Sequence, residues 1–307
     1  MIQHSSPSGF TVIELLVSLA IMAIVSSQLL LVFQGQQEAY VTNERILDIQ
    51  EDARLVMDLI STETRMAGFM VPRVTGLTSI NGGAAPDIFC VSDANEIADG
   101  TLATASQPFD RGRPLGPTAV GATSIFLQPG DLDIDSDGAD DFSTGQALII
   151  ADSTNSWCAP IVTVDAAAGR LDLPAVFAIP TAFPTTARVV PAVMYQVGGA
   201  GGLGLSRNGL LLSAEVEDLQ VEFGVDVNGD SIIDPLTGEF PIHNLAGFDP
   251  ASILQVRLTV TTRTAQGDQD FTGQFPAAAD RPGGAATDNF RRRRFVASIR
   301  PRNLGNP

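Results

Sequence analysis

Between Phe10 and Phe33 the chain reads FTVIELLVSLAIMAIVSSQLLLVF, a run in which Glu14 is the one ionisable side chain. As an α-helix it would be about 36 Å long at 1.5 Å per residue, enough to cross a hydrocarbon core of about 30 Å. The run therefore predicts a membrane span. Glu14 is its anomaly, because a carboxylate inside such a helix costs about 2.5 to 3.5 kcal/mol unless it finds a partner or snorkels to the interface.

The residues before the run point to a partner. MIQHSSPSG is mostly polar or small and ends in Gly9, immediately before Phe10. A cut there would leave the apolar stretch on the mature chain and create an α-amine on Phe10, a cation able to pair with Glu14 of a neighbouring copy. GFTVIELLVSLAIM resembles the prepilin signature: Gly, then Phe-Thr, three residues ending in Glu, then an unbroken apolar run. The resemblance implies cleavage between Gly9 and Phe10 by a membrane-embedded aspartyl peptidase, N-methylation of Phe10, and a role for Glu14 in assembly. The segment departs from the usual pattern in carrying no Lys or Arg before Gly9. The competing reading is a secretory signal cut before Gln28, after the small residues Ser26 and Ser27.

No proline interrupts residues 8–71, and after Gly35 the pattern becomes amphipathic. Ile46, Ile49, Ala53, Val56, Ile60 and Ala67 form one helical stripe, with Glu44, Arg45, Asp48, Glu51, Asp58 and Arg65 opposite. Gly68 followed by Pro72 predicts the stop. A helix of about 60 residues is about 90 Å long, and no strict heptad marks it as a coiled coil. The expected organisation is a leader over 1–9, a transmembrane helix over 10–34, an amphipathic continuation over 35–69 and a β-rich domain over 70–307.

Beyond residue 70 the period shifts to two. Strands are predicted at Asp87 to Val91, Ser124 to Gln128, Gln146 to Ala151, Ile161 to Asp165 and Arg188 to Val197. In 219–225 and 254–260 apolar and polar residues alternate, which predicts one buried and one wetted face. A last strand is expected over Arg294 to Arg300, after a loop from Gln266 to Asn289. QEDARLVMDLISTETRMAGF, AEVEDLQVEFGVDVNGDSIID, ILQVRLTVTTRT and RRRRFVASIRPRN are similar to PilW-type minor pilins. That resemblance implies an α+β, type IV pilin-like fold: a long N-terminal helix packed on an antiparallel β-rich domain.

The net charge of -17 arises from 35 acidic residues against 18 basic ones, and all 18 are arginine. Such a field opposes nucleic acid and anionic lipid headgroups. The local exception is Arg291 to Arg294, read as a solvated strand edge, so no nucleic-acid partner is expected. Cys90 and Cys158 are expected either to pair across a loop of about 70 residues, stabilising by about 4 kcal/mol, or to be two buried thiols.

Two loops carry calcium-like spacing at positions 1, 3, 5 and 9: Asp226, Asn228, Asp230, Asp234, and Asp133, Asp135, Asp137, Asp141. Position 12 is Thr237 or Thr144 instead of Glu. The alternative is an ordinary Asp/Asn/Gly turn without metal. His243 has no nucleophile-elbow motif to serve, and no P-loop or dinucleotide fingerprint is present, so no enzyme is expected.

The resemblance implies a minor pilin that primes assembly of a type IV pilus near its tip. Its expected partners are prepilin peptidase, other minor pilins, the major pilin, the inner-membrane assembly platform, membrane lipid before assembly and a pilus-tip adhesin. Its expected place is the bacterial inner membrane, ectodomain in the periplasm, and then the pilus at the cell surface. The alternatives are a type II secretion pseudopilin and a secreted or membrane-anchored β-rich binding protein.

Overall fold

The computed structural model describes residues 11–97, 113–114, 116, 118–127, 132–134, 138–198 and 202–305. A single helix, α1, runs Val12–Met66. The chain divides into two compact units, Met1–Asp48 and Ile49–Pro307. In the first unit the helix from Val12 to Phe33 is exposed on every side, and it is long and apolar enough to cross a membrane. An apolar surface open all round demands lipid or other helices as its cover.

The second unit begins with the last turns of α1. Ile49, Ala53, Val56 and Ile60 of the predicted stripe are buried there, joined by Met57, Ser61 and Thr64. Thr64 satisfies its hydroxyl by donating to Ile60 O at 2.7 Å. The helix ends at Met66, two residues before Gly68, which sits at φ 77°. This left-handed conformation suits glycine, and a Cβ at Gly68 would also run into Leu304. A helix end leaves carbonyls without intrahelical donors. Here the C-terminal segment supplies them: Arg302 N–H donates to Arg65 O at 3.1 Å, and Asn303 Nδ2 to Met66 O at 3.2 Å and Ala67 O at 3.3 Å.

The strands, in chain order, are β1 (Leu77–Ile80), β2 (Ile88–Ser92), β3 (Arg113–Pro114), β4 (Ser124–Phe126), β5 (Ala147–Ala151), β6 (Ser156–Pro160), β7 (Thr163–Asp165) and β8 (Arg170–Asp172). They continue with β9 (Arg188–Val197), β10 (Leu205–Arg207), β11 (Leu210–Ser213), β12 (Val216–Val225), β13 (Ile253–Arg263), β14 (Gly273–Gln274), β15 (Thr287–Asp288) and β16 (Arg292–Ile299). All pairings are antiparallel.

β9 is the hub of the largest sheet, pairing with β2, β3, β5 and β10. Both of its faces are covered, which is why RVVPAVMYQV is apolar almost without break. Ala192 and Met194 join a core with β5 and β6, while Val193, Tyr195 and Val197 join another that includes α1 and the β12–β13–β16 sheet. Within that second core the register sets Leu219 against Val260, Val221 against Leu258 and Phe223 against Val256. The result is a pilin-like α+β fold, the helix packed against antiparallel sheets.

The wetted face expected for β12 is corrected. Asp218 and Gln220 are 0 % exposed and Glu222 2 %. Two segments lie over them: the 226–250 loop, which places Phe240 over Arg257, and residues 264–291, called the strap below. The strap holds the β14–β15 pair, so the expected loop from Gln266 to Asn289 contains a small hairpin-like pairing of its own.

Candidate functional site

At the start of α1 the sequence builds a reciprocal cap. Thr11 N–H and Thr11 Oγ1 donate to Glu14 Oε2 at 3.1 and 3.0 Å, and Glu14 N–H returns a bond to Thr11 Oγ1 at 3.3 Å. This is the Thr-x-x-Glu capping box, in which two orphan helix donors are satisfied together. The sequence TVIE carries this pattern, which sets a capping role for Glu14 beside the expected pairing with the Phe10 amine of a neighbouring copy. Gly9 and Phe10 lie outside the described residues. Farther along, Ser18 and Ser27 donate their hydroxyls to Glu14 O and Ile24 O at 2.7 and 2.8 Å, so these two hydroxyls are spent on the helix's own backbone.

Residues 5–27 match the prokaryotic N-terminal methylation motif. That motif is typical of type IV pilins and pseudopilins and marks substrates of prepilin peptidase. On a helix this apolar, it places the chain among proteins anchored in the inner membrane before assembly. No curated protein matches the chain.

Within the second unit α1 is fastened to the main sheet by a polar lock. Glu63 accepts the hydroxyl of Tyr195 and the Arg207 guanidinium, Nε at 3.1 Å and Nη2 at 2.9 Å. Burial, then the Glu63 charge, drives the Tyr195 phenol pKa up, so it remains a neutral donor. Cys90 of β2 and Cys158 of β6 are joined in a disulfide with Cα atoms 6.4 Å apart. Of the two alternatives open in the sequence, the bridge is the one realised.

The Asp226 loop is closed by its own acidic side chains. Asp226 accepts the N–H groups of Gly229 at 2.6 Å and Ser231 at 2.9 Å, Asn228 accepts Asp230 N–H at 2.9 Å, and Asp230 accepts Ile232 N–H at 2.8 Å. Asp234 caps the short 3-10 turn Pro235–Thr237 through Leu236 N–H at 2.8 Å. Sequence reasoning missed Glu239, which is buried and accepts Asp234 N–H at 2.8 Å and Val227 N–H at 3.1 Å. The backbone bond from Asp234, foremost among its contacts, holds its pKa below the ordinary value.

In the other acidic loop Asp133 accepts Gly138 N–H at 3.0 Å and Asp141 accepts Ile134 N–H, while Asp135 and Asp137 lie outside the described residues. Among the described residues no three His, Cys, Asp or Glu side chains converge as a metal site would.

The arginine run is a solvated edge only in part: Arg293 and Arg294 are exposed, whereas Arg291 and Arg292 are half-buried and paired. Arg291 pairs with Asp268 at 2.7 Å and stacks over Phe271 at 4.5 Å. Arg292 bridges Glu217 and Asp288, each at 2.5 Å, with a side chain 7 % exposed; the Asp288 bond leads in raising its pKa. Arg294 donates to Ala277 O at 2.7 Å. Arg263 and Arg281 lie over Phe290 and Phe275, both at 4.1 Å. The guanidinium plane suits such stacking, and these residues anchor the strap to the sheet.

Proposed function

We propose that the chain is a minor pilin of a type IV pilus, cut between Gly9 and Phe10, methylated on Phe10 and incorporated near the filament tip. The observation that carries this reading is the methylation motif on a helix whose apolar surface is open on every side. In the membrane the Thr11 cap holds Glu14; during assembly Glu14 exchanges part of that cap for the Phe10 amine of an adjacent subunit. Leaving lipid is then offset by helix packing in the filament. The similarity of four segments to PilW-type proteins favours the pilus over the type II secretion filament, which uses the same motif.

The matching division is a leader over 1–9, a membrane helix over 10–34, its continuation over 35–69 and the assembling domain over 70–307. The partners follow from the same reading: prepilin peptidase, the inner-membrane assembly platform, the major pilin, other minor pilins and a tip adhesin. Mass spectrometry of the mature N-terminus tests it. A methylated Phe10 is the expected result; a start at Gln28, or at Met1, would remove it.

Calcium at the Asp226 loop is a separate proposal, supported by the 1-3-5-9 spacing of Asp226, Asn228, Asp230 and Asp234. Binding at about 10⁻⁴ to 10⁻³ M would require the carboxylates to redirect oxygens from backbone N–H groups to the ion. Millimolar calcium should raise the melting temperature of the wild type and leave Asp226→Asn unmoved. Equal melting with and without calcium would refute it.

A further inference from the structure

Three carboxylates meet where the β1–β2 turn, β12 and the strap come together. Asp87, just before β2, is 1 % exposed. Its N–H donates to Leu219 O at 2.8 Å, and its carboxylate accepts Gly82 N–H at 2.8 Å and Val221 N–H at 2.7 Å. Asp218 of β12 receives Arg281 Nη1 at 2.5 Å and Gln220 Nε2 at 3.0 Å on Oδ1, while its buried Oδ2 has no hydrogen-bond partner among the described residues. Asp280, in the strap beside Arg281, accepts Asn81 Nδ2 at 2.8 Å and faces His243 Nδ1 at 3.9 Å.

The charges do not balance. Glu217, next to Asp218, is already neutralised by Arg263 and Arg292, which leaves Arg281, on Asp218, as the guanidinium bound to the three, with His243 beside Asp280. Like carboxylates in a buried site favour retention of a proton. We propose that this seam is a proton-binding site: one proton held between the buried carboxyls of Asp87 and Asp218 keeps the strap seated, and its release as pH rises loosens the strap.

Burial, then the charges of Asp280 and Asp218, pushes the Asp87 pKa up to about 7 against the opposing pull of its two N–H donors. Burial raises Asp218 as well. The sign follows. A folded-state pKa above the unfolded value means that the folded state holds a proton the unfolded chain has lost, so this contribution is complete below about pH 4 and fades as pH rises through about 7. Loss of the proton sets Asp280, on the strap, against Asp87 and Asp218 on the body of the domain.

Hydrogen exchange on the full chain in detergent, converted to protection factors from pH 5.5 to 8.5, reads the strap through the mutual bonds of Ala278 and Arg281. Their protection should fall by up to about tenfold per pH unit from pH 5.5 to about 7, the limit for one proton, and level off above it. Asp87→Asn should keep high protection at all pH values. If that variant fails to fold, Asp280→Asn, which removes the strap's repelling charge, should end the fall at a lower pH than in the wild type. A level wild-type profile, or an Asp280→Asn profile that coincides with the wild type, would overturn the proposal.

Discussion

At the residue scale, the side chains that matter most are charged groups held by backbone or by one another. Glu14 folds back on Thr11, so its replacement by alanine removes both a cap and a charge. Glu14→Ala should therefore lower piliation sharply while the level of membrane-anchored protein stays unchanged, measured by counting pili and by immunoblotting membranes; normal pilus numbers would sink the assembly role. Glu63 is the hub of the α1 lock. Truncation to alanine should cost about 1 to 3 kcal/mol, because it strands the Tyr195 hydroxyl and Arg207 in a partly buried place. Chemical denaturation of the full chain in detergent would show it.

Among the elements, those with a long, consistent period were legible. The α1 stripe was readable because buried residues recur every three to four positions, and β9, β12 and β13 because each is ten or eleven residues long. Of the shorter strands, β2, β4, β5 and β7 overlap predicted runs, while others were not legible. SWCAP, which forms β6, has neither alternation nor length, and β10–β11 hides in LSRNGLLLS, where Asn208 and Gly209 turn at φ 49° and 79°. The Asn-Gly pair was the available signal.

The polar face of β12 was misread for a different reason. A Gly-, Pro- and Ala-rich strap offers no apolar pattern, so nothing in its own sequence announced a cover, and its anchors are arginines stacked on phenylalanines. Arg292→Ala should strand Asp288, leave Glu217 with Arg263 alone, and speed proteolysis within 266–290 before the rest of the domain is cut. Limited digestion read by mass spectrometry checks this. In the site itself, the methylation signature and the cysteine pair were legible because each is encoded locally or by few residues. The Glu239 contribution was not, since it depends on how a loop folds back.

For the whole molecule, the disulfide and the two cores set what the domain tolerates. Cys90 and Cys158 are separated by 68 residues and join β2 to β6, so Cys90→Ser should destabilise the domain by about 2 to 5 kcal/mol. Comparing denaturation of wild type and variant, with and without reductant, isolates that amount; a wild type indifferent to reductant would contradict it. The clasp of Arg302 and Asn303 on the last carbonyls of α1 has a mechanical meaning. In the proposed filament, a subunit drawn along its helix would receive tension at Arg65 and Met66, and those residues would hand part of it directly to Arg302 and Asn303. The 302–303 segment would then work as a strain relief, sharing the pull between α1 and β16 before the sheets are sheared.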